Sequence, residues 1–304
     1  MTDQQPGRAD LHIHTLASDG ISGVEEVLDH ATKRAGLDVI AITDHERIDA
    51  AVAAQRIAEG RGLPIEVIVG EEVTTRNGHL VGLFMNQRIG PWGSMRDTIA
   101  RVHDQGGIAI VAHPLVPYPL CASRRTILRL LDEADPRYHP DGIEAFNPTT
   151  AGMRWTRNVP AFVAQTGRAA IGSSDAHRAS DIGRALTRFP GASAAELRGA
   201  IEERQTTWEG TTYAWGTQLG MFRLQLGKNA RAVRDELTGW THRERTGRDL
   251  GYPGGRRRPE RFDAGAAGLA SDGRGPGAGW EPPTSRAAGG EAAPAKGNES
   301  REGA

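Results

Sequence analysis

Nine potential metal ligands occur in short clusters, each at a point where a strand is predicted to end. Imidazole nitrogens and carboxylate oxygens together are the ligands that borderline and hard divalent cations bind. A single tetrahedral ion needs only about four of them, so the set predicts a site for two or three divalent ions. The nine residues are His12, His14, Asp19, His45, Glu72, His79, His113, Asp175 and His177.

The spacing of these ligands suits residues that lie on strands. His12 and His14 are two positions apart, so on a strand their side chains emerge on the same face and can bind one ion together. Asp175 and His177 repeat this spacing. Asp19 follows the first pair in a polar loop that can turn back toward the same ion.

Several neighbouring acidic residues leave alternatives open. Glu71 and Glu72 are adjacent, so on a strand only one of them should face the site. Asp10 and Asp44 either bind a metal directly or orient a ligand histidine through its free N–H group. By contrast, His30, His103, His139 and His242 lack acidic neighbours at ligand spacing and are predicted to lie outside the site.

The predicted chemistry is hydrolysis at phosphorus. A carboxylate such as Glu72 can bridge two ions held about 3.5–4 Å apart, and a water between such ions loses its proton near neutral pH. The resulting metal-bridged hydroxide can attack phosphorus, while a site histidine or a metal-bound water protonates the leaving oxygen. On this interpretation Glu72, Asp175 and His177 are the catalytic residues.

Bulk properties exclude several classes of protein. The formal net charge of -1 gives no general electrostatic case for binding nucleic acid or membranes. Cys121 is the only cysteine, so there is neither an intramolecular disulfide nor a thiolate metal site. The sequence has no apparent signal region and no apolar stretch long enough to span a bilayer. We therefore expect a cytoplasmic protein without a membrane partner.

Strands and helices alternate up to about residue 205. Short β-branched or apolar runs predict seven strands, and the stretches between most of them have the periodicity of amphipathic helices. The predicted strands are 9–14, 39–43, 65–69, 80–84, 108–112, 142–146 and 169–172. The predicted helices are 23–35, 48–59, 95–105, 124–134, 155–165 and 194–204.

This alternation predicts an α/β fold with parallel strands, either a barrel or an open doubly wound sheet. In a barrel, residues from many strand ends meet at one mouth, whereas an open sheet concentrates its site near one switch point. The ligands follow many different strands, which favours a barrel with the metal site at its C-terminal mouth.

Three regions are predicted along the chain. Residues 1–210 form the barrel, and residues 211–250 form a helical extension. Residues 251–304 are rich in Gly, Ala and Pro and have almost no large aliphatic side chains. Such a segment cannot bury enough surface to offset its ordering entropy, so it is predicted to be a disordered tail.

Six motifs resemble those of the PHP (polymerase and histidinol phosphatase) superfamily, in the family's order, over roughly residues 9–210. The motifs are Asp10-Leu-His-Ile-His-Thr15, Thr43-Asp-His45, Gly70-Glu-Glu72, His79-Leu-Val-Gly-Leu83, Ala112-His-Pro114 and Gly172-Ser-Ser-Asp-Ala-His177. The resemblance implies a distorted (β/α)7 barrel with a trinuclear site containing Mn, Zn or Fe. It also selects Glu72 over Glu71 as the shared bridge.

The resemblance further implies how the ligands divide among three ions. His12, His14, Glu72 and Asp175 would hold the first ion. Asp19, His45 and His177 would hold the second, and Glu72, His79 and His113 the third.

The chain departs from the family pattern in the region that would select a substrate. Only residues 80–112 separate His79 from His113, so the inserted subdomain of nucleotide-cleaving relatives is missing. The sequence after His113 also lacks the Gly-Arg-Tyr of those relatives. Arg178 and Asn147 are predicted to bind substrate instead. Four other arginines near strand ends are further candidates: Arg76, Arg124, Arg125 and Arg154.

The predicted function is therefore a metal-dependent phosphatase that acts on a small phosphorylated metabolite or nucleotide. One alternative is an exonuclease that cleaves short nucleic acid. Another is a PHP-like binding module that keeps the fold without the chemistry, although the intact ligand set speaks against it.

Overall fold

A computed structural model of the protein describes residues 6–118, 120–150 and 156–212. Almost all of the predicted helical extension and the whole predicted tail lie outside the described residues. Among the described residues, no helix is long and apolar enough to cross a membrane.

The described residues contain nine strands in one strongly curved, nearly closed sheet, which confirms the barrel. The strand order is β7-β6-β5-β4-β3-β2-β1-β8-β9. The strands are β1 Gly7–Ile13, β2 Val39–Ile42, β3 Glu66–Thr75, β4 Gly78–Leu83, β5 Ile108–Val111, β6 Gly142–Phe146, β7 Ala169–Gly172, β8 Ala185–Phe189 and β9 Thr207–Gly210. Beyond β7 the chain pairs with the end of β1, where His14 N–H donates to the Ala176 carbonyl at 2.9 Å.

Strands β1–β7 are the seven predicted strands, but their directions are not all parallel. Strand β4 runs antiparallel to both β3 and β5. Thr75 and Gly78 flank a two-residue connection, and so short a loop can join only antiparallel strands. Gly78 is required there, because its φ is +131° and an added Cβ would lie 2.5 Å from the backbone of Ala122. Strands β8 and β9 were not predicted.

Six α-helices cover the described parts of the sheet and correspond to the six predicted helices. They are α1 Val24–His30, α2 Asp49–Arg61, α3 Met95–His103, α4 Arg124–Leu131, α5 Val159–Thr166 and α6 Ala194–Glu202. A π-helical segment, Ala31–Ala35, continues α1, and short 3-10 turns occupy Pro136–Tyr138, Thr156–Asn158 and Ala179–Asp181. Three helices begin with a serine whose side chain accepts a hydrogen bond from a backbone N–H group: Ser94 at α3, Ser123 at α4 and Ser193 at α6.

Two apolar clusters lie on the two faces of the sheet. The larger one joins the sheet to helices α1 to α5. The smaller one fills the barrel and is closed by Leu197 and Ile201 of α6. Leu11 belongs to the inner cluster and Ile13 to the outer one, because the register of β1 shifts between Asp10 and Ile13. This irregularity turns the end of β1 so that its two histidines enter the mouth of the barrel.

His103 has a structural role, as expected for a histidine outside the ligand clusters. Its Nδ1 lies 2.8 Å from the Arg137 carbonyl oxygen, and its Nε2 lies 2.9 Å from Oδ2 of Asp141. Burial opposes the charged ring, but the hydrogen bond to Asp141 outweighs it, and the pKa of His103 is raised. The pair joins α3 to the segment before β6.

We expect His103→Ala to lower the free energy of unfolding by about 1–2 kcal/mol at pH 5.5, since hydrogen bonds to charged groups contribute roughly this much. Because the folded pKa is raised, this stabilisation is complete below the unfolded pKa and is lost as pH rises through the folded pKa. Urea unfolding of both proteins from pH 5.5 to 9 measures it, with His30→Ala as the control. A difference that does not change with pH would contradict the assignment.

Candidate metal centre

All nine predicted ligands lie together at one end of the barrel. His12 and His14 come from the end of β1, Glu72 from β3, and His113 from the segment directly after β5. His79 reaches the same end from the beginning of β4, since this strand runs antiparallel to its neighbours. The remaining four residues lie in loops that follow β1, β2 and β7: Asp19, His45, Asp175 and His177.

Glu72 lies at the middle of the cluster and is almost completely buried. Its Oε1 lies 2.8 Å from His79 Nδ1 and 3.1 Å from His113 Nε2. Its Oε2 faces the other side, where three Nε2 atoms lie at 3.2, 3.3 and 3.4 Å, those of His12, His14 and His45. One carboxylate is therefore shared by two groups of histidines, as a bridging ligand would be.

Two aspartates complete the cluster. Oδ1 of Asp175 lies 3.3 Å from Nε2 of His14 and 3.6 Å from Nδ1 of His177. Oδ1 of Asp19 lies 3.4 Å from Nδ1 of His14, and its Oδ2 lies 3.0 Å from Nε2 of His177.

The ligand atoms form four overlapping groups, each within 4.8 Å. The groups are His12, His14 and Asp175; His14, His45 and Glu72; His14, Asp19 and His177; and Glu72, His79 and His113. The last equals the predicted third set. His14 takes part in three groups, whereas it was predicted in one set only.

Orphaned nitrogens show that the cluster fits cations. Among the described residues, no hydrogen bond satisfies the buried Nε2 of His12, either ring nitrogen of His14, or Nδ1 of His45 and His79. All of these atoms except Nδ1 of His45 nevertheless lie within 3.4 Å of a carboxylate oxygen. Buried polar atoms without partners are costly and rare. Lone pairs that converge from imidazoles and carboxylates are what a divalent ion would bind.

The charges of these groups depend strongly on one another. Burial favours neutral forms, but nearby histidines outweigh it and hold the pKa of Glu72 and of Asp19 well below the usual range. Burial likewise opposes the charged form of His14, yet the nearby carboxylates of Asp19, Asp175 and Glu72 raise its pKa to about 10. The carboxylates are therefore ionised, and protons on the histidines whose pKa is raised balance part of their charge.

Glu144 on β6 supports the centre and was not predicted from the sequence. Its Oε1 lies 2.8 Å from Nδ1 of His12, and its Oε2 accepts hydrogen bonds from the His113 backbone N–H at 2.7 Å and from Asn147 at 3.0 Å. A carboxylate on Nδ1 leaves the lone pair of Nε2 free for a metal. The only sign of this role in the sequence was that Glu144 is a charged residue within the otherwise apolar strand Gly142–Phe146.

We expect Glu144→Gln to weaken metal binding about 10–100-fold, the usual cost of losing a supporting partner of a ligand histidine. The substitution preserves the size of the side chain but removes the charge that holds His12. Competition with a fluorescent chelator measures the affinity, and Glu202→Gln on the surface of α6 is the control. An affinity within twofold of the unmodified protein would exclude this supporting role.

The open alternatives among the neighbouring acids are resolved by their contacts. Asp44 accepts hydrogen bonds from the backbone and side chain of Thr15, both at 2.7 Å. Asp10 accepts from the backbone of Ser174 at 2.9 Å and of Gly183 at 2.8 Å, and burial raises its pKa to about 6. Both therefore fix loops rather than face the ligand cluster.

Glu71 points away from the cluster, as the alternation along a strand predicts. Its Oε2 accepts a hydrogen bond from the backbone of Ile89 at 2.7 Å. Burial raises its pKa to about 7.

The candidate substrate residues have different surroundings. Asn147 is buried beside the cluster, with its amide nitrogen 3.3 Å from Oδ2 of Asp175. Arg178 forms an ion pair with Asp181, with Nε 2.9 Å from the carboxylate. Binding of substrate by Asn147 and Arg178 stays a prediction. Among the other candidate arginines, Arg76, Arg124 and Arg125 are exposed, while Arg154 lies outside the described residues.

Backbone strain marks two of the ligands. His113 and Asp175 have φ values of +27° and +51°, which non-glycine residues rarely adopt. Such strain persists only where surrounding contacts impose it, and it concentrates at functional sites. Around Asp175 these contacts come from Asn147 and Thr149. At His113, Nδ1 lies 3.5 Å from Sγ of Cys121.

Comparisons with known proteins agree with this geometry. The model of the PHP domain matches residues 10–112, and the PHP-associated model matches residues 155–206. An uncharacterized protein of Methanocaldococcus jannaschii is 36% identical over 149 residues, which are 45% of this chain and 85% of that protein.

Two kinds of named relatives match a shorter region. A phosphoribosyl 1,2-cyclic phosphate 1,2-diphosphodiesterase of Eggerthella lenta is 35% identical over 80 residues, 24% of this chain and 29% of that protein. A 5'-3' exoribonuclease of Haemophilus influenzae is 38% identical over 78 residues, 24% of this chain and 27% of that protein.

A solved structure has the same fold. It is a two-domain protein from Bacteroides vulgatus containing a predicted PHP-like metal-dependent phosphoesterase, with a TM-score of 0.55 and 21% identity over 68% of this chain and 67% of that one. The family models, the archaeal relative and the ligand cluster lead to one conclusion: the chain belongs to the PHP family of metal-dependent phosphoesterases.

Proposed function

We propose that this protein is a phosphatase that uses two or three divalent ions, Mn, Zn or Fe, to hydrolyse a small phosphorylated metabolite or nucleotide in the cytoplasm. The observation that carries the proposal is the set of buried, orphaned imidazole nitrogens around Glu72. When bound, the ions would supply a hydroxide near neutral pH and positive charge for the phosphate oxygens.

The protein's own residues would hold and orient this chemistry. Nδ1 of His12 is engaged by Glu144, and Nδ1 of His177 lies 2.9 Å from the Asp175 carbonyl oxygen. In His12, Nε2 is thereby left to bind a metal. Nε2 of His177 lies 3.0 Å from Oδ2 of Asp19, with which it would hold an ion. Asn147 and Thr149 hold Oδ2 of Asp175, so its Oδ1 faces the histidines.

The catalytic assignments follow from these positions. Glu72 would bridge ions, and Asp175 and His177 would bind ions beside it. A site histidine or a bound water would protonate the leaving oxygen. Asn147 would bind substrate from its position beside Asp175, and Arg178 would bind it with Asp181 orienting the guanidinium.

Cleavage of a phosphodiester is the second candidate, and the partial matches to a cyclic phosphodiesterase and an exoribonuclease favour it. Each match covers less than a third of the relative. The net charge of -1 offers no general attraction for a polyanion. We therefore rank a small monoester above nucleic acid.

Phosphate release from a panel of phosphomonoesters, cyclic phosphodiesters and short oligonucleotides tests both candidates. The protein is loaded with Mn²⁺, Zn²⁺ or Fe²⁺, and a chelator-treated sample is the control. Turnover of monoesters that disappears on chelation is expected. Cleavage only of diesters would favour the second candidate, and no turnover of any ester would reject the enzymatic function.

A further inference from the structure

A pocket opens directly beside the metal centre, between β6, the beginning of α5 and β9. Its volume is about 210 Å³. His113, Glu144 and Asn147 line both this pocket and the centre, so a bound molecule can contact both. A phosphate at the metal centre would therefore have this pocket next to it.

The pocket has a rigid aromatic wall. The rings of Phe146 and Trp208 are stacked, with centroids 5.0 Å apart and planes 8° apart. Gly210 makes this packing possible, because an added Cβ would lie only 2.5 Å from the ring of Phe146. Val159 and Pro160 add further apolar surface from α5. The wall therefore offers aromatic faces and edges rather than hydrogen-bonding groups.

Arg157 gives the pocket a positive charge at its rim. It lines the pocket, its residue is exposed, and no carboxylate pairs with it among the described residues. This differs from Arg178, whose guanidinium is held by Asp181. An unpaired guanidinium beside an aromatic wall suits a ligand that combines a flat ring with a negative group.

We propose that this pocket binds the organic part of the substrate, and that the substrate is the phosphate ester of a single-ring aromatic alcohol with a polar or anionic group directed at Arg157. This rests on the proposed phosphatase function, because the phosphate must reach the metal centre. An apolar cavity of about 150 Å³ can hold benzene, so the larger pocket holds one substituted ring.

Other classes of substrate match the pocket less well. Pockets for drug-sized ligands usually measure about 300–1,000 Å³, so this smaller pocket suits one ring better than a nucleobase together with its ribose. A sugar or glycerol phosphate would find hydrogen-bond partners in Thr150, Thr156 and Thr212, but it would leave the apolar surface of Phe146 and Trp208 without apolar contacts. The phosphate ester of an aromatic alcohol would place its ring against Phe146 and Trp208 and its polar or anionic group at Arg157.

Binding of non-hydrolysable phosphonates tests the pocket separately from catalysis. Calorimetry with the metal-loaded full chain compares methylphosphonate, phenylphosphonate and 4-carboxyphenylphosphonate. We expect phenylphosphonate to bind at least about tenfold more tightly than methylphosphonate, because stacking adds to the burial of the ring. We expect the carboxylate to improve binding by up to about fivefold, the range of an exposed charge pair.

Three variants identify the residues responsible. Trp208→Leu should remove most of the phenyl preference without changing methylphosphonate binding, whereas Trp208→Phe should retain it. Arg157→Gln should remove only the gain from the carboxylate. Trp92→Leu is the matched control, since Trp92 is 62% exposed and does not line the pocket. Thermal melting checks that each variant is folded.

The outcomes separate the two proposals. Equal affinity for phenyl and methyl phosphonates, or a Trp208→Leu effect no larger than that of Trp92→Leu, overturns the aromatic pocket even if esters are hydrolysed. Selective binding of phenylphosphonate without hydrolysis of any ester in the panel supports the pocket and overturns the phosphatase function. Selective binding together with preferred hydrolysis of phenyl phosphate over glycerol phosphate supports both.

Discussion

Glu72→Gln is expected to reduce metal content to less than one ion per chain and to lower kcat/KM for phosphate esters at least about a hundredfold. Removing one partner of a buried charged group costs roughly 3–5 kcal/mol, and each 1.4 kcal/mol is tenfold in an equilibrium constant. Glu72 lies within 3.4 Å of five histidines, so its charge serves both sides of the centre. Elemental analysis of freshly purified protein, with steady-state kinetics on the same sample, measures both effects.

Glu71→Gln is a matched control for this experiment. Glu71 is the neighbouring buried carboxylate on β3, but it bonds to the backbone of Ile89 instead of facing the cluster. Its substitution should leave metal content unchanged. If Glu72→Gln keeps two or more ions and most of its activity, Glu72 is not the bridging ligand.

The candidate ligands could be picked out from the sequence because each of their clusters is local. The alternation of His12 with His14, and of Asp175 with His177, requires only that the chain be extended. The choice between Glu71 and Glu72 followed from the motif resemblance, and the alternation of side chains agrees with it. The structure adds that all nine side chains meet at one mouth.

The errors have a local and a distant cause. The direction of β4 depends on the local two-residue turn after Thr75, which the prediction missed because its third strand ended at residue 69. Glu144 lies 132 residues from His12, so no local spacing links them. The shift in the register of β1 likewise depends on pairing with β2.

The protonation states of the clustered side chains also could not be predicted from the sequence. A histidine beside a carboxylate can be neutral or charged, and the outcome depends on how burial and several neighbours combine. Here the negative charges of the neighbouring carboxylates outweigh the effect of burial and raise the pKa of His12 and His14. Both histidines are therefore protonated when no ions are bound.

Metal binding is therefore expected to release protons and to become tighter as pH rises. Burial lowers the pKa of His12 and His113, but the hydrogen-bonding and charged groups around them have the larger effect. The pKa values of both residues are therefore well above the usual range, and the pKa of His14 is about 10. Since a metal binds only the neutral imidazole, each ion must displace protons near pH 7. The affinity should rise about tenfold per pH unit for each proton displaced.

Calorimetric titration of metal-free protein with Mn²⁺ or Zn²⁺ at pH 7, in buffers with different ionisation enthalpies, counts these protons. The observed enthalpy should vary linearly with the buffer enthalpy, with a slope of at least one proton per chain. His30→Ala should leave the slope unchanged, since this ring lies on α1 outside the cluster. Glu72→Gln should reduce it, because the Glu72 carboxylate helps to hold the protons on His12 and His14. An enthalpy independent of buffer would mean that the histidines are already neutral, so that burial rather than the carboxylates governs the charge of the empty site.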